Sequence, residues 1–88
     1  MVALVKPQFE AGRGRAPGGV VRDPAVHREV LAAALEDVRA AGLVPLGLVA
    51  SPLVGPAGNR EFFVPAALDP LRLEPDGWPE RIATLVPG

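Results

Sequence analysis

The chain has 88 residues, of which 49% are hydrophobic and 22% charged, and its formal net charge is −1. This length allows at most one small domain, and the apolar content is sufficient to build a core. The near-neutral charge excludes a global basic field, so any contact with nucleic acid requires a local patch. The absence of cysteine excludes disulfides, zinc knuckles and thiol catalysis, and a single histidine argues against a metal site.

The first predicted element is a strand. Val2 to Val5 form a short continuous apolar run, typical of a strand buried on both faces of a mostly parallel sheet. Lys6 and Pro7 end this strand, because proline cannot donate a hydrogen bond to the ladder. No basic region precedes the run, so it lacks the pattern of a signal peptide. Residues 11–22 follow as a loop with four glycines.

A helix is predicted next. Asp23 is placed to be its N-cap and Pro24 to take its first position. The apolar residues that follow recur at helical spacing, while most of the charged ones lie outside that stripe; they are Val26, Val30, Leu31, Ala34, Leu35, Val38 and Ala41. Gly42 is placed to be the C-cap.

Two further strands are predicted, at 43–50 and 60–64, separated by a Pro/Gly loop at 51–59. A strand–helix–strand unit makes a right-handed crossover, so the first two strands should be parallel, and the third could return antiparallel. The stretch 40–59 carries no charge, but its repeated prolines and glycines favour a strand and a loop over a membrane-spanning helix. We therefore expect an α/β unit at 1–68 and a Pro-rich tail at 69–88, with one short helix at 79–86.

Three segments of the chain, taken together, resemble the hemolysin-A (TlyA) family of ribosomal RNA ribose 2′-O-methyltransferases. They are Val5 to Glu10, Gly18 to Pro24 with His27, and Ser51 to Leu53 continuing through Gly58 to Phe62. Members of that family resemble the FtsJ-type methyltransferases, which have a doubly wound α/β fold, bind S-adenosylmethionine and use a Lys-Asp-Lys-Glu tetrad. The resemblance implies that the chain is the C-terminal β-α-β-β part of this Rossmann-like sheet, with the antiparallel strand between the two parallel ones.

The resemblance also assigns two catalytic residues. Lys6 matches the second lysine of the tetrad and Glu61 matches the glutamate. Sequence ahead of Met1 would contain the first lysine, the aspartate, the glycine-rich turn that binds S-adenosylmethionine and an S4-type RNA-binding domain. No residue here is therefore assigned to cofactor binding. Gly12-Arg13-Gly14 is not a substitute for that turn, because it does not join a first strand directly to its helix.

The chemistry explains why a lysine and a glutamate belong together. Methyl transfer to a ribose hydroxyl requires that the hydroxyl be held in line and its proton removed. A lysine amine can accept that proton when a second cation or partial burial favours its neutral form, and a carboxylate beside it fixes its orientation. The alternative is that Lys6 is a solvated strand end and Glu61 a surface position on an alternating strand.

Five residues are candidates for contact with RNA. Arg13, Arg15 and Arg22 could bind phosphates, or they could simply solubilise a loop. Asn59 and Arg60 could touch the substrate or position the loop before Glu61, and turn formation is the simpler role for Asn59.

Two more side chains have both a structural and a functional interpretation. His27 fits a packing or capping role better than proton transfer. Trp78 fits the covering of an apolar surface better than stacking on a base.

The predicted function is that of a portion of a cytoplasmic methyltransferase that uses S-adenosylmethionine, acts on ribosomal RNA and is inactive without its other segments. Because an isolated part of a sheet exposes an edge and apolar surface, we expect a homodimer or larger self-association. The alternatives are a stand-alone, non-catalytic α/β module that binds a protein or RNA, and a membrane-active cytolysin, which the breakers at 40–59 disfavour.

Overall fold

The computed structural model describes residues 1–7, 22–54, 60–69 and 71–87, with the backbone alone at 53 and 54. The elements in chain order are β1 (Val2–Val5), α1 (Pro24–Ala40), β2 (Val44–Pro45), β3 (Val49–Val54), β4 (Arg60–Ala67) and α2 (Trp78–Leu85). The α/β class is confirmed, as one sheet of antiparallel pairs with two helices. The predicted glycine-rich loop at 11–22 lies almost entirely outside the described residues.

Helix α1 begins where its local sequence predicts, and its C-cap lies one residue before the predicted Gly42. The Asp23 side chain accepts a hydrogen bond of 2.9 Å from the Ala25 amide, and Pro24 takes the first position. At the other end Ala41 is the C-cap, and Gly42 follows it with a φ of +83° that favours glycine. The Leu43 amide then donates to the Val38 carbonyl at 3.1 Å, which closes a Schellman turn.

Strand β4 lies in the middle of the sheet although it is the last strand in sequence. It pairs antiparallel with β1 on one side and with β2 and β3 on the other. Because β1 and β3 both run antiparallel to β4, they run parallel to each other, as the crossover rule predicts. The returning strand is therefore inserted between the two parallel ones.

The sheet has one face that the helices cover and one that they leave exposed. On what we call the helix face, Val5, Phe62, Val64 and Ala66 are buried with residues of α1 and α2 in a single core. Residues directly opposite each other on paired strands share a face, so the register places the following side chains on the other side, the open face: Val2, Leu4, Val49, Phe63 and Pro65.

The prediction that β1 is buried on both faces is wrong. Val2 is 65% exposed and Leu4 is 46% exposed, because the described helices lie only on the helix face. The strand predicted at 43–50 is interrupted between Pro45 and Val49. Residues 51–54, predicted as loop, continue β3, because β4 offers them a pairing partner as far as Val54.

Helix α2 closes the core from the C-terminal end, close to the predicted 79–86. Ile82 and Val86 are buried with the residues of α1 and β4, and Trp78 and Leu85 pack against that cluster. The interpretation of Trp78 as a cover for apolar surface is thus confirmed. Within the described ranges, no helix has the length and apolar character needed to cross a membrane.

Candidate active site

Lys6 and Glu61 face each other across two neighbouring strands. The last pair of the β1–β4 ladder is Val5 with Phe62, and one further step in each direction places Lys6 opposite Glu61. The Lys6 Nζ lies 3.8 Å from the Glu61 Oε2. The Lys6 side chain is 40% exposed and that of Glu61 only 16%. The lysine is therefore accessible to a substrate, while the carboxylate beside it is largely enclosed.

The two chain neighbours of Glu61 are both fixed on the opposite side of the sheet. Phe62 is fully buried, and the His27 ring meets its ring edge-on with centroids 6.2 Å apart. Arg60 places its guanidinium 5.2 Å from the Phe62 ring centroid and donates a hydrogen bond of 3.2 Å to the Leu85 carbonyl. The packing role expected for His27 is confirmed.

The ladders on both sides of β4 lose their regularity at Glu61. On the β1 side the last pair is at Phe62, one residue before Glu61. On the β3 side, pairing shifts register between Ala50 and Val54, where β3 advances four positions while β4 advances two. Such irregularities commonly lie beside functional sites, where they redirect side chains or end pairing. Glu61 therefore lies at the end of the central strand where both ladders become irregular, and we call this end the corner of the sheet.

The residues predicted to contact RNA are only partly within the described structure. Arg22 is exposed immediately before the N-cap of α1. Arg60 is also exposed, but one of its donors is bound to the Leu85 carbonyl. Arg13, Arg15 and Asn59 lie outside the described residues.

A second charged cluster lies away from this corner. The guanidinium of Arg39 binds both carboxylate oxygens of Glu74, at 2.8 and 2.7 Å, and also contacts Glu36. The Trp78 indole donates to the same Glu74 carboxylate at 3.0 Å. The hydrogen bonds from Arg39 lower the pKa of Glu74, and those to Glu74 raise the pKa of Arg39. This cluster fastens the tail to α1.

Two arginines that hold the tail could not be identified from the sequence. Arg28 of α1 donates to the Val86 carbonyl at 3.1 Å, and Arg81 of α2 donates to the Leu48 carbonyl at 3.2 Å. Neither residue belongs to a motif. Among the described residues there is also no group of His, Cys, Asp or Glu side chains that could hold a metal ion.

Comparison with known proteins identifies relatives over most of the chain. A family model described as FtsJ-like methyltransferase matches residues 1–67. The chain is 46% identical over 65 residues to the 16S/23S rRNA (cytidine-2′-O)-methyltransferase TlyA of Mycobacterium tuberculosis, covering 73% of this chain and 24% of that protein. It is 37% identical over 63 residues to Hemolysin A of Brachyspira hyodysenteriae, covering 70% and 26%. The chain thus spans about a quarter of the length of these relatives.

Solved structures extend the likeness over nearly the whole chain. A candidate hemolysin from Lactococcus lactis superimposes with a TM-score of 0.81 at 35% identity, covering 96% of this chain and 41% of that one. A second, from Streptococcus thermophilus, gives a TM-score of 0.80 at 36% identity, covering 94% and 31%.

Proposed function

Because the chain belongs to the FtsJ-like methyltransferase family, we propose that it is the part of a ribosomal RNA ribose 2′-O-methyltransferase that carries Lys6 and Glu61 as catalytic residues. The observation that supports this most directly is the separation of 3.8 Å between their charged groups, at a corner of the sheet where a half-exposed cation meets an enclosed carboxylate. The surrounding sheet is the C-terminal part of a doubly wound, Rossmann-like methyltransferase domain.

The pair fits the deprotonation of a ribose hydroxyl. When bound, S-adenosylmethionine supplies an electrophilic methyl group. Lys6 would act as the general base that accepts the proton of the 2′-hydroxyl when the methyl group is transferred to that oxygen. Glu61 holds the lysine head over the substrate. We place the donor-binding turn, and the remaining lysine and aspartate of the tetrad, in the sequence that precedes this stretch in the relatives.

We place the RNA along the same corner of the sheet. Arg22 is exposed before the N-cap of α1, and Arg60 is exposed with one of its guanidinium donors bound to Leu85. Arg13, Arg15 and Asn59 complete the proposed RNA-binding set. Phosphate contacts from these side chains would orient the strand, while the site itself would act on the sugar. Since the substrate is ribosomal RNA, we place the protein in the cytoplasm.

The experiment that tests this function uses a chimera. The chain replaces the matching C-terminal part of the Mycobacterium tuberculosis TlyA, and transfer of labelled methyl groups from S-adenosylmethionine to ribosomal subunits is measured. We expect the chimera to be active and its Lys6→Ala and Glu61→Gln forms to lose most of that activity. A Lys6→Ala chimera as active as the parent chimera would refute the assignment.

A calorimetric titration shows where the donor site lies. We expect S-adenosylmethionine to bind the chimera and not the 88-residue chain alone. Binding by the 88 residues would mean that the donor site lies within them, and that Lys6 and Glu61 must be reassigned.

A further inference from the structure

The C-terminal helix is tied to the rest of the molecule through arginines that donate to backbone carbonyls. Arg28 binds the Val86 carbonyl and Arg60 binds the Leu85 carbonyl, so the last turn of α2 is held from α1 and from β4 at once. Cations are favoured at a helix C-terminus, where carbonyls lack partners within the helix. Arg81 of α2 in turn donates to the Leu48 carbonyl, between β2 and β3.

One of these contacts differs from the other two in its place in the chain. Arg60 is the first residue of β4 and immediately precedes Glu61. Alternation along the strand directs the Arg60 side chain to the helix face and that of Glu61 to the open face. Any restraint on Arg60 therefore limits the backbone that carries the Glu61 carboxylate.

Glu61 needs such a restraint because the sheet supplies little at this position. The regular β1–β4 ladder ends at Phe62, and the β3–β4 ladder shifts register between Ala50 and Val54. Arg60 still pairs with Val54 across this shift, so Glu61 lies between two paired residues and has no regular ladder partner of its own. Arg60 fixes the strand on the N-terminal side of Glu61. It donates to the Leu85 carbonyl, and its guanidinium packs on the Phe62 ring.

We propose that Arg60 is a positioning residue, which sets the separation of Lys6 and Glu61 by binding the last turn of α2. The proposal rests on the proposed function, in which these two residues carry the chemistry. It also assigns a role to α2, which lies beyond residues 1–67 that the family model matches. The tail then acts on the site through the strand start, without touching substrate.

The test compares two arginines that make the same kind of bond. Arg60→Ala and Arg28→Ala each remove one hydrogen bond to the last turn of α2, so a purely structural role predicts a similar fall in unfolding temperature for both. The readout of positioning is the NMR signal of the Glu61 carboxyl carbon, recorded with and without a Lys6→Ala substitution. In the parent chain, we expect removal of the ammonium, whose Nζ lies 3.8 Å from the Glu61 Oε2, to shift this signal.

We expect this shift to fall to less than half in the Arg60→Ala background and to remain complete in the Arg28→Ala background. A complete shift in Arg60→Ala would overturn the proposal. An equal loss in both backgrounds would overturn it too, because general loosening of the tail would then suffice. If Arg60→Ala does not fold, Arg60→Gln replaces it. The shorter glutamine side chain still covers Phe62 but does not reach Leu85. A complete shift of the Glu61 signal in Arg60→Gln would refute the positioning role.

These results can be separated from the fate of the proposed function. The NMR signal is read without RNA or methyl donor. An inactive chimera together with a reduced shift in Arg60→Ala would leave the positioning role intact and refute the methyltransferase assignment alone.

Discussion

The two faces of the sheet differ in what covers them and in what they carry. On the helix face, Phe62 and Val64 are fully buried against α1 and α2. On the open face, Leu4 and Val49 are each 46% exposed, and Glu61 meets Lys6. Strand β4 serves both faces by simple alternation, so the residues that stabilise the fold and those proposed for chemistry are immediate neighbours in sequence. A slip of one residue in register would exchange them.

The largest expected effect comes from emptying the helix face. Phe62→Ala should destabilise the chain by about 3–5 kcal/mol, because it removes a fully buried ring and leaves a cavity. Phe63→Ala is the matched control on the open face, where we expect about 1 kcal/mol, as for an average substitution. Urea denaturation measures both. Equal losses for the two variants would show that the open face is as well packed as the other.

The second prediction addresses the charged corner of the open face. In the chimera, Lys6→Ala should reduce methyl transfer about 10²–10⁴-fold, as expected for loss of a general base. The free energy of unfolding should change by less than about 1 kcal/mol, because the ion pair is partly exposed. Arg72→Ala is the control for loss of a surface cation. A parallel loss of stability and activity would contradict the separation of roles between the faces.

A third test concerns the apolar part of the open face. If this surface drives self-association, Leu4→Lys should shift the 88-residue chain toward monomer in sedimentation velocity. The unfolding free energy should change by no more than about 0.5 kcal/mol, since Leu4 is half-exposed. Leu71→Lys adds the same charge at a residue that is 87% exposed in the tail, and it should leave association unchanged. A parent chain that is already monomeric would refute the expected self-association.

The smallest effect concerns how the tail is fastened to the helix face. Because Arg39 lowers the pKa of Glu74, the stabilisation from their contact is present above the ordinary pKa of a glutamate. It is lost as the pH falls through the lowered value. Trp78 is the single tryptophan and donates to Glu74, so its fluorescence should report this loss, which we expect to be under about 1 kcal/mol. Glu74→Gln should remove the acid-dependent change; its persistence would point to another group.

Sequence alone predicted what depends on local chemistry. The start of α1 follows from Asp23 and Pro24, and its end from Gly42, because caps act within one turn. The end of β3 was not predicted, since Ser51 and Pro52 resemble loop residues and their extended conformation depends on a distant partner in β4. The prediction that β1 is buried on both faces was wrong for a similar reason. The same apolar run occurs in strands with one covered face and in strands with two, because a second layer depends on the fold.

The candidate site was predicted unevenly. Lys6 and Glu61 were paired through the family resemblance, and the strand register explains why they meet. The contacts of Arg28, Arg60 and Arg81 could not be predicted, because their acceptors are backbone carbonyls, which every residue has. Only the fold decides which carbonyl lies within reach.

The central place of β4 also determines the order in which the chain can fold. Within the described residues, neither β1 nor β3 has a strand partner until β4 has been synthesised. Helix α1, with its own caps, can form earlier, but the sheet must wait for contacts between distant parts of the sequence, which slow folding. A nascent chain that ends before residue 60 would therefore hold both outer strands unpaired. The same late strand completes the sheet and brings Glu61 to Lys6.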